Sequence, residues 1–216
     1  MEIAARIDRA KYDVFRWRYE LSIPKKLALA LGMACLTGLL AQIRIGNPVP
    51  VTGQTFAVLL AGVLLGRWWG GISLATYAGL GAAGIPWFAG WGSGLGYLAG
   101  PTGGYIIGFI LAALFLGYFT DTYIRSRSFL SMLALMLFAN FILIYVPGLL
   151  QLGLWLSLVK GESAAFTTLL GMGVFPFIIG DVTKAIIAAA IARGITPKSA
   201  YNGEVDKGKW ANWRIP

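Results

Sequence analysis

The chain has 216 residues, of which 57% are hydrophobic and only 12% charged, about half the charged fraction of a soluble domain. Its 18 basic residues outnumber the 9 acidic ones, histidine is absent, and Cys35 is its single cysteine. That composition excludes intrachain disulfides, Ser-His and Cys-His nucleophiles, His-ligated zinc or haem and histidine proton relays, and with a mean hydropathy of +0.71 it describes an all-α polytopic membrane protein.

Residues 1–23 are strongly charged, and the apolar run after them has no small-residue cleavage site, so they are not a signal peptide. In "AARIDRAKYDVFRWRYEL", Ile7, Val14, Phe15 and Trp17 alternate with basic residues. That pattern suits an amphipathic helix lying along lipid headgroups, or else a solvated arm. Six apolar spans are expected between residues 24 and 194: about 24–43, 54–66, 71–85, 105–119, 129–146 and 176–193. "RWWGG" reads as a tight turn between the second and third. Pro147-Gly148 is expected to interrupt the fifth, and the stretch after it to hold a short surface helix. Pro176 is a good first residue for the sixth, because its missing N–H would be unbonded there anyway. Residues 195–216 read as a disordered or interfacial tail anchored by Trp210 and Trp213.

The excess of basic residues sets an expected orientation. With both termini cytoplasmic, all basic residues fall inside except Arg44 and Lys160, which lie outside, and Lys184, which lies within the membrane. The net charge of +9 is therefore a topology signal, not a nucleic-acid surface. "GEVDKGKW" imitates a P-loop and "GLGYLA" a dinucleotide fingerprint, but neither has the strand and helix context that gives such motifs meaning. No ATP site is expected in this chain.

In the first span Ala30, Ala34 and Gly38 recur every fourth residue, with Ala28 and Gly32 on the neighbouring row. Small-residue stripes let helices approach closely in lipid. Two readings are open here: packing inside the bundle, or an interface with a partner subunit. A similar stripe, Ala75, Gly79 and Ala83, marks the third span.

The sharpest feature is "PFIIGDVTKAII". A charge at the centre of a membrane helix costs about 2.5–3.5 kcal/mol on the lenient insertion scales. Asp181 and Lys184 are three apart and share a helix face, roughly 8–12 Å from the outer end at ~1.5 Å per residue. Intramembrane charges are functional by default, so the pair is expected to offer one acceptor and one donor to a polar ligand from outside. "NPVPVTGQT" brings Thr52, Gln54 and Thr55 to the same level. The uncharged loop 86–104 supplies Trp87, Phe88, Trp91 and Tyr97 among glycines, as a lid over a largely apolar, neutral ring system would. Asn140 reads as an interhelical hydrogen-bonding residue.

Taken in order, "NPVPVTGQT", "LLAGVLLG", "GIPWFAGWGSG", "GPTGGYIIGF" and "GDVTKA" resemble the BioY family, the biotin-specific substrate-binding subunits (S components) of energy-coupling factor transporters. The resemblance runs from about Lys26 to Arg193. It implies a six-helix bundle in the cell membrane with a high-affinity biotin pocket near the outer face. It also implies partnership with a transmembrane coupling subunit and two ATPase subunits, which alone would use ATP. By resemblance, Asp181 and Lys184 form the family's Asp-x-x-Lys motif, Gln54 is its first-loop glutamine, Ser93 and Tyr97 belong to its gating loop, and small residues of the first helix face the coupling subunit.

The expected ligand residues are thus Gln54, Trp91, Ser93, Tyr97, Asp181 and Lys184, with Ala30, Ala34 and Gly38 at the partner interface. No covalent chemistry, metal or cofactor is expected. The rival readings are an S component for thiamine or riboflavin, a membrane-embedded enzyme, and a structural scaffold in which the Asp181–Lys184 pair is self-neutralising and only packs.

Overall fold

Backbone N–H and C=O groups in lipid must be satisfied within the chain, which leaves helices as the economical choice for long apolar runs. The computed structural model describes residues 2–46, 48–162 and 165–210. Helix α1 (Glu2–Glu20) precedes α2 (Ile23–Ala41), which leads into a two-stranded antiparallel ribbon, β1 (Arg44–Ile45) and β2 (Val51–Thr52). Next come α3 (Gln54–Leu65), α4 (Arg67–Ala82), a loop carrying the short α5 (Leu95–Leu98), and α6 (Gly103–Thr122). A 3-10 turn (Ile124–Arg127) joins α6 to α7 (Phe129–Phe138), a π turn (Ala139–Ile144) joins α7 to α8 (Tyr145–Trp155), and a second π turn (Leu156–Lys160) ends that run. The chain closes with α9 (Phe166–Gly173), a 3-10 turn (Phe175–Phe177), α10 (Ile178–Ile195) and α11 (Lys207–Trp210).

Among the described residues, four helical runs are long and apolar enough to cross a membrane: Ile23–Ala41, Gly103–Thr122, Phe129–Lys160 and Phe166–Ile195. By contrast α3 has 12 residues and α4 has 16, about 18 and 24 Å at ~1.5 Å rise, short of the ~30 Å hydrocarbon layer. The shorter α3 lies at the centre. Its Ala57, Val58, Leu59, Ala61 and Val63 are fully buried, against α4 (Leu74, Tyr77), α6 (Ala112, Ala113, Leu116) and α10 (Ala185, Ala188, Ala189). Close approach replaces hydrophobic drive here: a Cβ at Gly62 would fall 2.4 Å from the Ala113 carbonyl oxygen. Large apolar side chains such as Leu39, Leu130, Leu150 and Ile179 point outward.

Three boundaries differ from the sequence reading. "RWWGG" is not a turn but the first turn of α4, because Asp121 at the end of α6 accepts the Arg67 N–H at 2.9 Å and caps the helix across space. Gly66 alone makes the turn, with φ +82°. Pro147 does not interrupt the fifth span: the π turn just before it shifts the bonding register, and the helix runs on to Lys160. Pro176 lies in the 3-10 turn ahead of α10, which starts at Ile178.

The bundle has two unlike ends. At one, α1 docks through buried Phe15 and through Arg18, which donates to the Val63 and Leu64 carbonyls and to Asp121. The tail as far as Asp206 is folded onto the same end rather than disordered: Arg127 donates to the Pro197 and Ser199 carbonyls and to Glu204, while Asp206 accepts the Ile124 and Arg125 N–H groups. Trp213 and the side chain of Trp210 lie outside the described residues. The other end carries the ribbon, the 83–102 loop and α9.

Candidate functional site: a polar recess above the central helix

Because α3 is short, its first residues sit below the rim of the longer helices around it, and the space above them is a recess. About 520 Å³ of atom-free space lies there, the open mouth included. Gln54 and Thr55 of α3 line it together with Val49, Pro50 and Thr52 of the ribbon and Asp181 and Lys184 of α10. The wall is completed by Ala89, Tyr97 and Thr102 of the loop, Tyr105, Ile106 and Phe109 of α6, Ile144 and Tyr145 at the π turn, and Phe177.

At the polar heart of the site Asp181 is 3% exposed. Its Oδ1 accepts from the Thr55 hydroxyl at 3.0 Å and pairs with the Lys184 ammonium; its Oδ2 accepts from Asn140 Nδ2 at 2.9 Å and from the Tyr145 hydroxyl. A carboxylate offers about four acceptor positions, so donors from three helices and the π turn occupy them all. Asn140 spends its amide on this bond, leaving its Oδ1 buried without a partner among the described residues. The N-terminus of α3, next to Thr55, adds the positive end of its helix dipole beside the anion.

Lys184 also donates to the Thr52 carbonyl at 2.8 Å. An ammonium has three N–H groups; Asp181 and Thr52 use two, and the third has no partner among the described residues. Gln54 is fixed from both sides, accepting from the Thr52 hydroxyl at 2.9 Å and donating to the Tyr77 hydroxyl at 2.7 Å. Tyr77 in turn holds the loop, since its carbonyl accepts the Trp87 indole N–H at 2.9 Å. Gln151 ties the far end of the loop to α8 through the Leu98 and Gly100 carbonyls.

Of the expected ligand residues, Gln54, Tyr97, Asp181 and Lys184 meet in this recess, and Trp91 and Ser93 do not. Trp91 has a left-handed backbone (φ 61°), its N–H is held by Gln42 Oε1 at 3.0 Å, and its side chain is exposed. Ser93 is exposed as well. Ala30, Ala34 and Gly38 are not open to a partner: they are buried in this chain, and a Cβ on Gly38 would fall 2.9 Å from Trp87 Cβ. The row that faces outward is Ala28 and Gly32. Tyr145, Tyr105 and Thr102 were not anticipated. Nor was the bond from Asn140 to Asp181, although a polar residue in an apolar span was the signal for it.

A family model described as the BioY family matches residues 12–201. The chain belongs to the BioY family. Among its relatives, the "Probable biotin transporter BioY" of Methanothermobacter thermautotrophicus is 53% identical over 157 residues, 73% of this chain and 100% of that one. The protein of the same description from Pyrococcus horikoshii is 38% identical, covering 78% and 94%, and the "Biotin transporter BioY" of Thermotoga maritima is 36% identical, covering 68% and 80%. The BioY fold is also similar to the 2.1 Å crystal structure of the S-component for biotin from an ECF-type ABC transporter, with a TM-score of 0.67, 27% identity and coverage of 80% of this chain and 93% of that one. BioY proteins are transporter components, not enzymes.

Proposed function

We propose that this BioY-family chain captures biotin in the recess above α3 and serves as the substrate-binding subunit of an energy-coupling factor transporter. One observation carries the reading. A buried ion pair, neutral overall, presents a spare Lys184 N–H to a recess otherwise walled by aromatic and aliphatic side chains. A ureido ring is neutral, flat and polar at one edge. Its carbonyl can accept from Lys184, its N–H groups can donate to Asp181 in place of one of the present donors, and its apolar bicycle suits Tyr97, Tyr105 and Phe109.

In this reading α2, α3, α4, α6, the α7–α8 run and α10 are the six membrane helices, with α3 and α4 completed by the ribbon and loop above them. The end rich in Lys and Arg, carrying both termini, is cytoplasmic, so the recess faces outward. The coupling subunit and two ATPase subunits supply the energy, and reorientation of the bundle delivers the ligand. The inward burial of Ala30, Ala34 and Gly38 shifts the proposed coupling-subunit contact to the outward row, Ala28 and Gly32.

Equilibrium binding of labelled biotin to the purified chain, with thiamine and riboflavin as competitors, tests the assignment. Submicromolar affinity resisted by both competitors is expected. Lys184→Met strands a buried carboxylate, at a cost of about 3–5 kcal/mol for breaking such a pair, and should lower biotin affinity by at least about 100-fold. Micromolar or weaker binding by the native chain, or an unimpaired Lys184→Met variant, overturns the proposal.

A further inference from the structure

Lys184 cannot serve two anions. Its charge is matched by Asp181 within the recess, so a carboxylate on the ligand's other end needs a second cation, and it needs one at the mouth. Lys160 stands over the Trp155 ring at 5.4 Å on an exposed π turn; neither it nor Arg44 is itself a wall residue of the recess, and what separates them is the part of the wall each stands beside. Arg44 stands elsewhere. In the ribbon it is the register partner of Thr52, and directly opposed residues of an antiparallel pair raise their side chains on the same face. Thr52 lines the recess.

The guanidinium is then received by the loop. Gly90 has φ +71°, and a Cβ there would fall 2.6 Å from the guanidinium carbon and 2.7 Å from Nη1. The bare α-carbon lets the planar group lie against the loop beside Ala89, a wall residue. Tyr97, also a wall residue, feels the same charge: burial pushes its phenol above the ordinary value and Arg44 pulls against that rise. None of the ion pairs among the described residues uses Arg44. A basic residue at the end expected to lie outside also runs against the charge bias that orients the rest of the chain.

We infer that Arg44 is a ligand-binding residue, the mouth cation that holds the ligand's carboxylate while the neutral ring end sits at Asp181 and Lys184. This rests on the biotin reading above and deepens it. Affinity then divides by chemistry: the α10 pair reads the ring, and the ribbon arginine reads the acid.

The test compares biotin with biotinamide, its uncharged amide, on the purified full-length chain. The native chain should bind biotin about tenfold more tightly than biotinamide, the scale of one charge-assisted contact. Arg44→Gln should weaken biotin by about tenfold and leave biotinamide within about twofold, so that discrimination disappears; Arg44→Lys should keep part of it. Retained biotinamide binding also reports that the variant is folded. Equal weakening of both compounds, or no change in biotin affinity, overturns the inference. A native chain that binds biotin but does not prefer it to the amide overturns it while leaving the biotin reading standing. A native chain that binds neither compound overturns both.

Discussion

At the scale of single residues, the site is governed by how the Asp181 carboxyl group is accommodated inside a helix bundle. The carboxylate collects Thr55, Lys184, Asn140 and Tyr145, which offsets desolvation and fixes its rotamer. Tyr145 is the donor whose role can be isolated, because phenylalanine keeps the ring and its edge-on contacts with Tyr105 and Phe177. A hydrogen bond to a charged group contributes about 1.5–3 kcal/mol. Tyr145→Phe should therefore lower the midpoint of thermal unfolding in detergent and weaken biotin binding, since Asp181 is then held by one donor fewer. An unchanged midpoint would mean that the hydroxyl contributes nothing to fixing the carboxylate.

At the scale of elements, the π turn decides which residues meet. On an α-helix each residue advances about 100°, so Asn140 and Tyr145, five apart, would point about 140° from each other. In a π turn the bonded neighbours are five apart, and both side chains reach one carboxylate oxygen. This explains what the sequence could and could not reveal. The helices were legible from apolar run length, and the Asp181–Lys184 pair from the cost of charge in lipid. Tyr145 was not legible, because one extra residue in the turn breaks the helical period that would have placed it beside Asn140. Arg44 was hidden for a similar reason: a ribbon of two-residue strands has no recognisable alternation, so its partnership with Thr52 exists only in three dimensions. The place of Trp91 outside the recess was not legible either, because its left-handed backbone is set by the fold of the loop. The register argument makes a paired prediction. Deleting Ile142, whose side chain points outward, leaves Asn140 and Tyr145 at four-residue spacing on one α-helical face, and biotin binding should persist within about tenfold. Inserting one alanine after Ile142 puts them six apart, still about 120° from each other on an α-helix, and binding should be lost. Equal binding by the two variants would show that the meeting of these side chains is immaterial.

At the scale of the molecule, ligand chemistry and anchoring are at opposite ends. The recess end is built around one ion pair within a single helix, Asp181–Lys184, whereas the basic end is held by ion pairs between segments far apart in the chain, Arg18–Asp121 and Arg127–Glu204. Arg127 is 4% and Glu204 2% exposed, and they pair directly while Arg127 stacks on Tyr201. Burial alone would raise the Glu204 carboxyl, but the Arg127 bond and the Tyr201 N–H outweigh it and leave the group below its usual 4.5. The sign follows from linkage. A depressed acid stabilises the folded tail fully above about 4.5, and that contribution fades as pH falls through the lower folded-state value. A nitroxide attached at Ser199→Cys in a Cys35→Ser background should therefore be immobile at neutral pH and become mobile only below about pH 4.5. Glu204→Gln should remove the transition, because a neutral side chain has no proton to gain and leaves Arg127 without its counter-charge at every pH. A nitroxide that stays immobile down to about pH 3, or a transition that survives in Glu204→Gln, would assign the anchoring of the tail to its backbone contacts with Arg127 instead of to the ion pair.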